Sequence, residues 1–385
     1  MTRMGPLAGI RVLELEAIGP APFCNMLLAD MGADVLLVDR IEDARLGFGR
    51  ERWFDVMFRG RRSVTLDLKS QDGVAAALML ADRADAVIEG FRPGVMERLG
   101  LGPDVLIARN PKLVYGRMTG WGQQGPLAER AGHDIDYIAL SGALHAIGRA
   151  GAAPVPPLNL VADFGGGGML LAFGVACALF EAQRSGKGQV VDAAMIDGAS
   201  LLTTMIWGMQ AAQRWSDERG TNVLDSGAPW YDTYETQDGR FVAIGAIEPK
   251  FYAELLERLG LTAATLPDQQ DRGSWPMLRE QLAATFLSRT RDEWTRVFEN
   301  SDACFAPVLT FREAVDHPHA RARNAHVTLG DVTQPAPAPR FSRTPGAAHA
   351  PPPERGARGR EALRDWGFCR EEVERLASLG LGFAR

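Results

Sequence analysis

Apolar positions in the first hundred residues fall in short continuous runs, and only rarely in strict alternation. Ile10-Arg11-Val12-Leu13-Glu14-Leu15, Asp34-Val35-Leu36-Leu37-Val38-Asp39, residues 63–68 (SVTLDL) and Ala86-Val87-Ile88-Glu89 read as strands. Runs apolar on both faces are the kind that parallel sheets bury. Between them, 22–31 and 71–82 carry apolar residues at helical spacing. Strand alternating with helix predicts an α/β fold built on a doubly wound parallel sheet. From 132 to 184 the pattern turns helical, broken by a Pro/Gly-rich loop at 150–157. Gly165 to Arg184 should form one long helix ended by Ser185-Gly186-Lys187-Gly188, and 189–215 continue helical.

The character changes near residue 228. Trp230 to Glu235 and Phe241 to Ile247 flank Gln237-Asp238-Gly239, an antiparallel hairpin signal. Pro249 opens a helix over 250–259, Pro being suited to the first helical position. Residues 272–315 alternate helix and strand as a smaller α+β unit, 332–358 read as an extended linker, and 360–378 as a final amphipathic helix. The expected organisation is a large α/β domain over 1–188, a helical linker over 189–224, a small α+β domain over 225–318, and a return to the large domain over 319–385.

Composition narrows the function. The 385 residues carry 42 Lys+Arg against 48 Asp+Glu, a formal charge of -6. That argues against a nucleic-acid binder that neutralises phosphates over a wide surface. Lys occurs only at Lys69, Lys112, Lys187 and Lys250, so the cations are nearly all guanidinium forks able to grip phosphate locally. Cys24, Cys177, Cys304 and Cys369 form no CxxC pair, which gives neither a zinc ribbon nor a disulfide framework and suits a reducing interior. The first residues lack the apolar segment and cleavage site of a secretory signal, and the most apolar run, 169–180, is too short to span a bilayer. A cytoplasmic protein with no membrane partner is expected.

A β-α-β start invites the dinucleotide test. The first turn reads Ala17-Ile18-Gly19-Pro20-Ala21-Pro22, without the close-approach glycines of a Rossmann fingerprint, although Asp39 ends the second strand where a ribose-binding acid would sit. The run Gly165 to Gly168 fits either close packing or backbone approach to a ligand. None of the six histidines makes a metal-ligand pair on an evident helix. His133, in Gly132-His133-Asp134-Ile135-Asp136-Tyr137, starts an apolar helix, where a histidine is more often structural than catalytic. Asp163, ahead of the glycine run, reads on spacing as an N-cap. Glu248, before Pro249, suits a helix dipole.

Taken together, these segments resemble the α-methylacyl-CoA racemases, within the family III (CaiB/BaiF-type) CoA-transferase superfamily. The resemblance runs from about residue 6 to 345. It is carried by Pro6 to Leu15, Gly32-Ala33-Asp34 with Val38-Asp39-Arg40, Arg62 to Lys69, Phe91-Arg92-Pro93-Gly94-Val95 with Glu97-Arg98-Leu99-Gly100, Gly132 to Tyr137, Leu158 to Gly167, Gly186 to Met195, and Gly227 to Phe251. It implies an interlocked homodimer of the family III CoA-transferase fold, acting on acyl-CoA thioesters without metal or cofactor. His133 and Asp163 match the two acid/bases, and Glu248, supplied by the partner chain, orients the histidine. The Asp134 N–H is expected to face the enolate oxygen. Arg40, Arg92 and Arg98 match positions that contact the nucleotide and phosphates. Leu66, Asp67, Leu68, Lys69, Gly90, Phe91 and Ile18 line the adenine and pantetheine path. Tyr137 lies beside the thioester, and Gly132, Ile135 and Asp136 are further substrate-binding positions.

The chain departs from the racemase pattern at Asp136, commonly Asn; at Ser226, usually Gly; and at Trp230, usually Tyr or Phe. These bear on substrate choice and pH optimum. Residues 41–58 and the tail beyond 350 match no pattern. Met195, Met205 and Met209 are candidates for an acyl-binding surface, with core packing the competing role. Two other functions fit part of the motif set. A CoA-transferase would use Asp163 as a nucleophile and need no base at 133. A non-catalytic acyl-CoA binder would keep the arginines alone.

Overall fold

The computed structural model describes residues 4–42 and 51–384, so 43–50 of the unmatched 41–58 segment and the first three residues lie outside the described residues. The chain forms two compact units. One comprises Met1–Ser141, Leu158–Thr203 and Arg321–Arg385, the other Gly142–Pro157 and Thr204–Ala320.

The first unit is built on six parallel strands: β1 (Arg11–Leu15), β2 (Asp34–Asp39), β3 (Arg62–Thr65), β4 (Ala86–Glu89), β5 (Val114–Thr119) and β6 (Val190–Ala194). Their order is β3-β2-β1-β4-β5-β6, with Leu13 of β1 beside Leu36 of β2 and Val87 of β4. Both faces are covered, which is why the strands read as continuous apolar runs. One face packs Leu13, Leu36, Val64, Val87 and Tyr115 against the Gln71–Ala81 helix and the C-terminal helices. On the other face a side chain at Gly116 would strike Ile88, Leu171 and Val175. The Leu160–Ser185 helix therefore lies directly on β5.

Four elements differ from expectation. The segment 190–194, expected helical, is the edge strand β6, paired with β5 from Tyr115–Val190 to Thr119–Ala194. The long helix starts earlier than Gly165: Leu160–Met169 is wound as a π-helix and runs into an α-helix over Leu170–Ser185. The tail forms two helices, Gly359–Asp365 and Arg370–Ser378, because Gly367 takes a left-handed φ of 85° between them. Part of the expected linker pairs instead as a hairpin, His326–Leu329 with Val332–Pro335. The apolar run 169–180 sits inside a 26-residue helix long and apolar enough to cross a bilayer by length and composition. Its Leu171 and Val175 face, however, is spent on the sheet.

The glycine run serves close packing. A Cβ on Gly166 would lie 2.6 Å from the Ala199 nitrogen, and one on Gly198 1.9 Å from the Gly166 oxygen. Backbones meet at this crossing with no room for a side chain.

The tail ties back to the sheet. The Gly356 N–H donates to Ser63 Oγ at 2.8 Å, and Arg355 forks onto Glu16 at 2.7 and 3.0 Å. Burial alone would raise Glu16, but the Arg355 fork and the Arg40 N–H outweigh it and hold its carboxyl below the ordinary value. Fully buried Arg61 and Glu14 pair at 2.8 Å on the face opposite the tail helices.

The second unit packs the expected hairpin, Tyr231–Glu235 with Phe241–Gly245, and a third strand, Phe305–Pro307. Trp230, Trp275, Trp294 and Phe286 fill its core with the Pro249–Leu259 helix.

Glu89 ends β4 fully buried, with Oε2 accepting the Phe91 N–H at 2.7 Å and Oε1 the Arg117 Nε–H at 2.9 Å. Burial still pushes its carboxyl up from 4.5 to about 7. Ionising it therefore costs stability: nothing below its unfolded value, the full cost once pH exceeds about 7. Glu89→Gln removes that dependence. Its stability relative to the natural protein should rise by roughly 3 kcal/mol between pH 5 and pH 8 in urea unfolding. A difference that stays flat with pH would overturn this account.

Candidate active site

The strand order reverses between β1 and β4, and in such sheets ligands bind outside the carboxyl ends of the strands at that switch point. Nearly all the candidate residues of the first unit lie there. Ile18 follows β1, Arg40 follows β2, Leu66 to Lys69 follow β3, and Gly90, Phe91 and Arg92 follow β4. β5 leads through the glycine-rich turn to His133.

Their exposure separates them. Ile18, Arg92 and Arg98 are exposed and Arg40 half-buried. Arg98 lines a cleft of about 710 Å³ with Pro93, Gly94, Gln124 and Arg130. Leu66 is different: at 2 % exposure its side chain belongs to the core, so only its backbone faces the strand end. Asp67 builds the next turn, accepting the Lys69 N–H at 3.0 Å before Ser70 caps the Gln71–Ala81 helix. Leu68 and Phe91 pack partly on the core, which leaves Asp67 and Lys69 as the exposed charges of that stretch.

Asp39 is where a dinucleotide fold would place its ribose acid. Both its oxygens are taken, Oδ1 by Arg52 and Arg355 and Oδ2 by Ser63 Oγ at 2.5 Å.

His133 is the N-cap of the Asp134–Leu140 helix, exposed, and its backbone N–H donates to Asp136 Oδ2 at 2.9 Å. Asp136 thus closes the helix start. Tyr137 is buried, and its hydroxyl donates to the Gly132 carbonyl at 2.5 Å while its ring meets Trp121 edge-on at 4.7 Å. The ring occupies the space that side chains on Gly120 and Gly132 would need. Ile135 is exposed beside it.

Asp163 is not an N-cap. It lies in the first turn of the π-wound segment, half-buried, with Oδ2 accepting from Asn159 Nδ2 at 3.0 Å. Gly19, in the turn after β1, would place a Cβ 3.6 Å from the same oxygen, so Asp163 sits over the switch-point turn. Burial raises the Asp163 carboxyl above the ordinary carboxylate range. The Asn159 hydrogen bond opposes that rise, the Asp134 charge adds to it, and His133 opposes it. Asn159 is four residues before Asp163, a spacing that faces side chains together on a helix, so the sequence carries a signal for this pair.

Glu248 belongs to the second unit, exposed at the N-cap of the Pro249–Leu259 helix. Cys304 is close enough for the Glu248 charge, after burial, to raise its thiol. Trp230 is 1 % exposed with Nε1 donating to the Gln269 carbonyl, so its difference from the racemase pattern is a core difference. Ser226 has a φ of 69°, the left-handed geometry that explains a usual glycine. Met195 is core, Met209 half-buried, and Met205 exposed. Among the described residues no group of His, Cys, Asp and Glu could hold a metal ion.

Two helix starts meet at a parallel-sheet switch point, with Arg40 following β2 and Arg92 following β4, and comparison with known proteins gives the class. The chain belongs to the CoA-transferase family III, whose model matches residues 7–359. It is 47% identical over 374 residues to the α-methylacyl-CoA racemase of Mus musculus, covering 97% of this chain and 96% of that one. With the Homo sapiens α-methylacyl-CoA racemase the identity is 45% over 378 residues, covering 97% and 96%. Among solved structures, a CAIB/BAIF family protein from Brucella suis superposes with a TM-score of 0.82 at 25% identity, covering 94% of this chain and all of that one.

Removing the Asn159 donor should raise the Asp163 carboxyl further, since that bond stabilises the ionised form. In Asn159→Ala, the Asp163 carboxyl carbon followed by NMR should titrate at higher pH than in the natural protein. An unchanged or lower midpoint would show that the bond does not control the acid.

Proposed function

We propose that this chain is an α-methylacyl-CoA racemase, interconverting (R)- and (S)-2-methylacyl-CoA thioesters by two-base 1,1-proton transfer. The observation that carries the reading is the pair His133 and Asp163, near enough for the imidazole charge to act on the carboxyl, in a chain so similar to named racemases over nearly its whole length. One group takes the α-proton, and the electron pair passes to the thioester oxygen as an enolate. The conjugate acid of the other returns a proton to the opposite face of the carbon. The roles exchange with substrate handedness, and no atoms change overall. A cofactor is unnecessary in this reading because the proton moves between side chains.

The α-proton is far less acidic than either group, so enolate stabilisation outweighs base strength: ten units of pKa gap amount to about 14 kcal/mol. The Asp134 N–H, in the first helical position and without an intrahelical acceptor, faces that oxygen in this reading. Arg40, Arg92 and Arg98 take the nucleotide and phosphates. Lys69, Gly90, Phe91 and Ile18 take the adenine and pantetheine path, and Gly132, Ile135 and Tyr137 flank the thioester. Glu248 orients His133 from a second copy of the chain.

A homodimer is part of the proposal. In the first unit Met169, Phe173 and Phe180 expose more than half their area along one helix; in the second, the Thr204–Ala211 helix buries no residue and exposes Met205 and Trp207. Apolar surface so arranged favours covering by another chain. The four free cysteines suit a cytoplasmic setting, and the branched acyl thioester suits lipid and fatty acid metabolism.

A single epimer of a 2-methylacyl-CoA incubated in D₂O, with no acceptor acid, should gain deuterium at Cα and invert; His133→Ala should lose inversion. Intact substrate, followed by CoA exchange once a free carboxylic acid is supplied, would sink the racemase reading and make Asp163 a nucleophile. Sedimentation should give a mass near twice the 41.8 kDa of one chain. A fully active monomer would contradict a site shared between copies.

A further inference from the structure

Asp134 is more deeply buried than a carboxylate at the start of a short helix needs to be, at 4 % exposure. Its Oδ2 accepts two backbone N–H groups from the head of another helix, Ala162 at 2.7 Å and Asp163 at 2.8 Å. Its Oδ1 is buried with no hydrogen-bond partner. Half of the group is thus satisfied and half is left bare, an arrangement that costs stability. A cap alone does not call for a buried charge, since Ser, Thr or Asn can accept such bonds.

What Asp134 joins is specific. It directly follows His133 in the chain and grips the backbone of Asp163 itself. We infer that Asp134 is a positioning residue whose carboxylate fixes the His133 helix start against Asp163, so that the two groups address opposite faces of one carbon. This inference rests on the racemase reading. It assigns the side chain a task separate from that of the Asp134 N–H.

The groups facing Asp163 define what a change at Asp134 can alter. His133, Asp134 and Tyr137 come from the Asp134–Leu140 helix and its cap, and Asn159 from the adjoining turn. The Pro20–Asp30 helix meets the glycine run through Pro20, Phe23 and Cys24, and the Met195–Leu202 helix through Met195, Gly198 and Ala199; of these Cys24 alone titrates, and burial pushes its thiol up. The Asp134 charge also favours the protonated form of Asp163.

The test compares Asp134→Ala and Asp134→Asn with the natural homodimer, using each epimer of a 2-methylacyl-CoA in D₂O. Misplacing one of two bases should separate the two outcomes of proton removal. In Asp134→Ala, inversion should fall on the order of a hundredfold, while exchange without inversion persists from the epimer that His133 deprotonates. Asp134→Asn keeps an acceptor for both N–H groups and should restore inversion. Its acid limb of kcat/KM should lie at lower pH, because the negative charge beside Asp163 is gone. Equal loss of exchange and inversion in a folded Asp134→Ala, or an unaltered ratio, would overturn the positioning role. If Asp134→Ala does not fold, the Asn variant decides: inversion kept in its natural ratio to exchange supports the inference, because Asn still accepts both N–H groups, and a ratio shifted toward exchange overturns it. A natural protein that neither exchanges nor inverts would instead refute the racemase reading, a result distinguishable from failure of the inference alone.

Discussion

The reversal of strand order between β1 and β4 is the constraint on which the first unit depends. Chain leaving β1 turns toward β2 and β3, and chain leaving β4 turns toward β5 and β6, so the two turns part at the carboxyl edge. Gly19 and Gly90 stand on the two sides of that parting. A Cβ on Gly90 would press on Ala17 and Ala21, and one on Gly19 would approach Asp163. The crevice is thus floored by small residues, with the acid held over it. The Gly166–Gly198 contact then allows the helix behind Asp163 to come close enough to deliver it.

Much of this was legible because buried parallel strands leave a plain trace. β1, β2 and β4 are apolar on both faces, and no other element length fits such short runs. β6 was missed for the complementary reason. It is an edge strand with Val190 exposed and Asp192 in its middle, so no continuous run marks it, and only the β-branched pair Val190-Val191 hints at it. The tail was read as one helix because Gly367 falls inside a pattern with helical spacing on both sides. The linker reading of 332–358 failed in part because strand pairing at 326–335 depends on a turn at Gly330, not on apolar periodicity.

The site was less legible than the fold. His133 and Asp163 lie in separate helix starts, and nothing in their spacing says that a third residue joins them; the resemblance supplied the pair. The Asp134 side chain came from neither source, because its bonds to Ala162 and Asp163 exist only once the two segments fold together. The same holds for Asp39. Its position matches a ribose-binding acid, yet its oxygens are consumed by Arg52, Arg355 and Ser63. Arg355 lies in the tail that no pattern matched. Such buried ion pairs contribute little net stability over apolar packing, but losing one partner of a pair like Arg61–Glu14 costs about 3–5 kcal/mol. They fix geometry more than they add stability.

A two-base proton transfer sets opposed demands on its carboxylic acid. In the proposed reaction Asp163 must hold a proton near neutral pH when it is the donor and give that proton up when it is the acceptor in the reverse direction. Burial alone would satisfy the first demand at the expense of the second. The structure sets two influences on each side of the balance: burial and Asp134 raise the carboxyl, Asn159 and His133 lower it. The partner acting against burial, Asn159, is neutral, so its contribution does not vary with pH, whereas that of His133 disappears when the imidazole is the base. In that state Asp163 is at its most basic, which is when the proposed transfer needs it protonated. The charge on His133 thus bears on the readiness of Asp163, and in the proposed arrangement a carboxylate that fixed their separation would fix the strength of that effect as well.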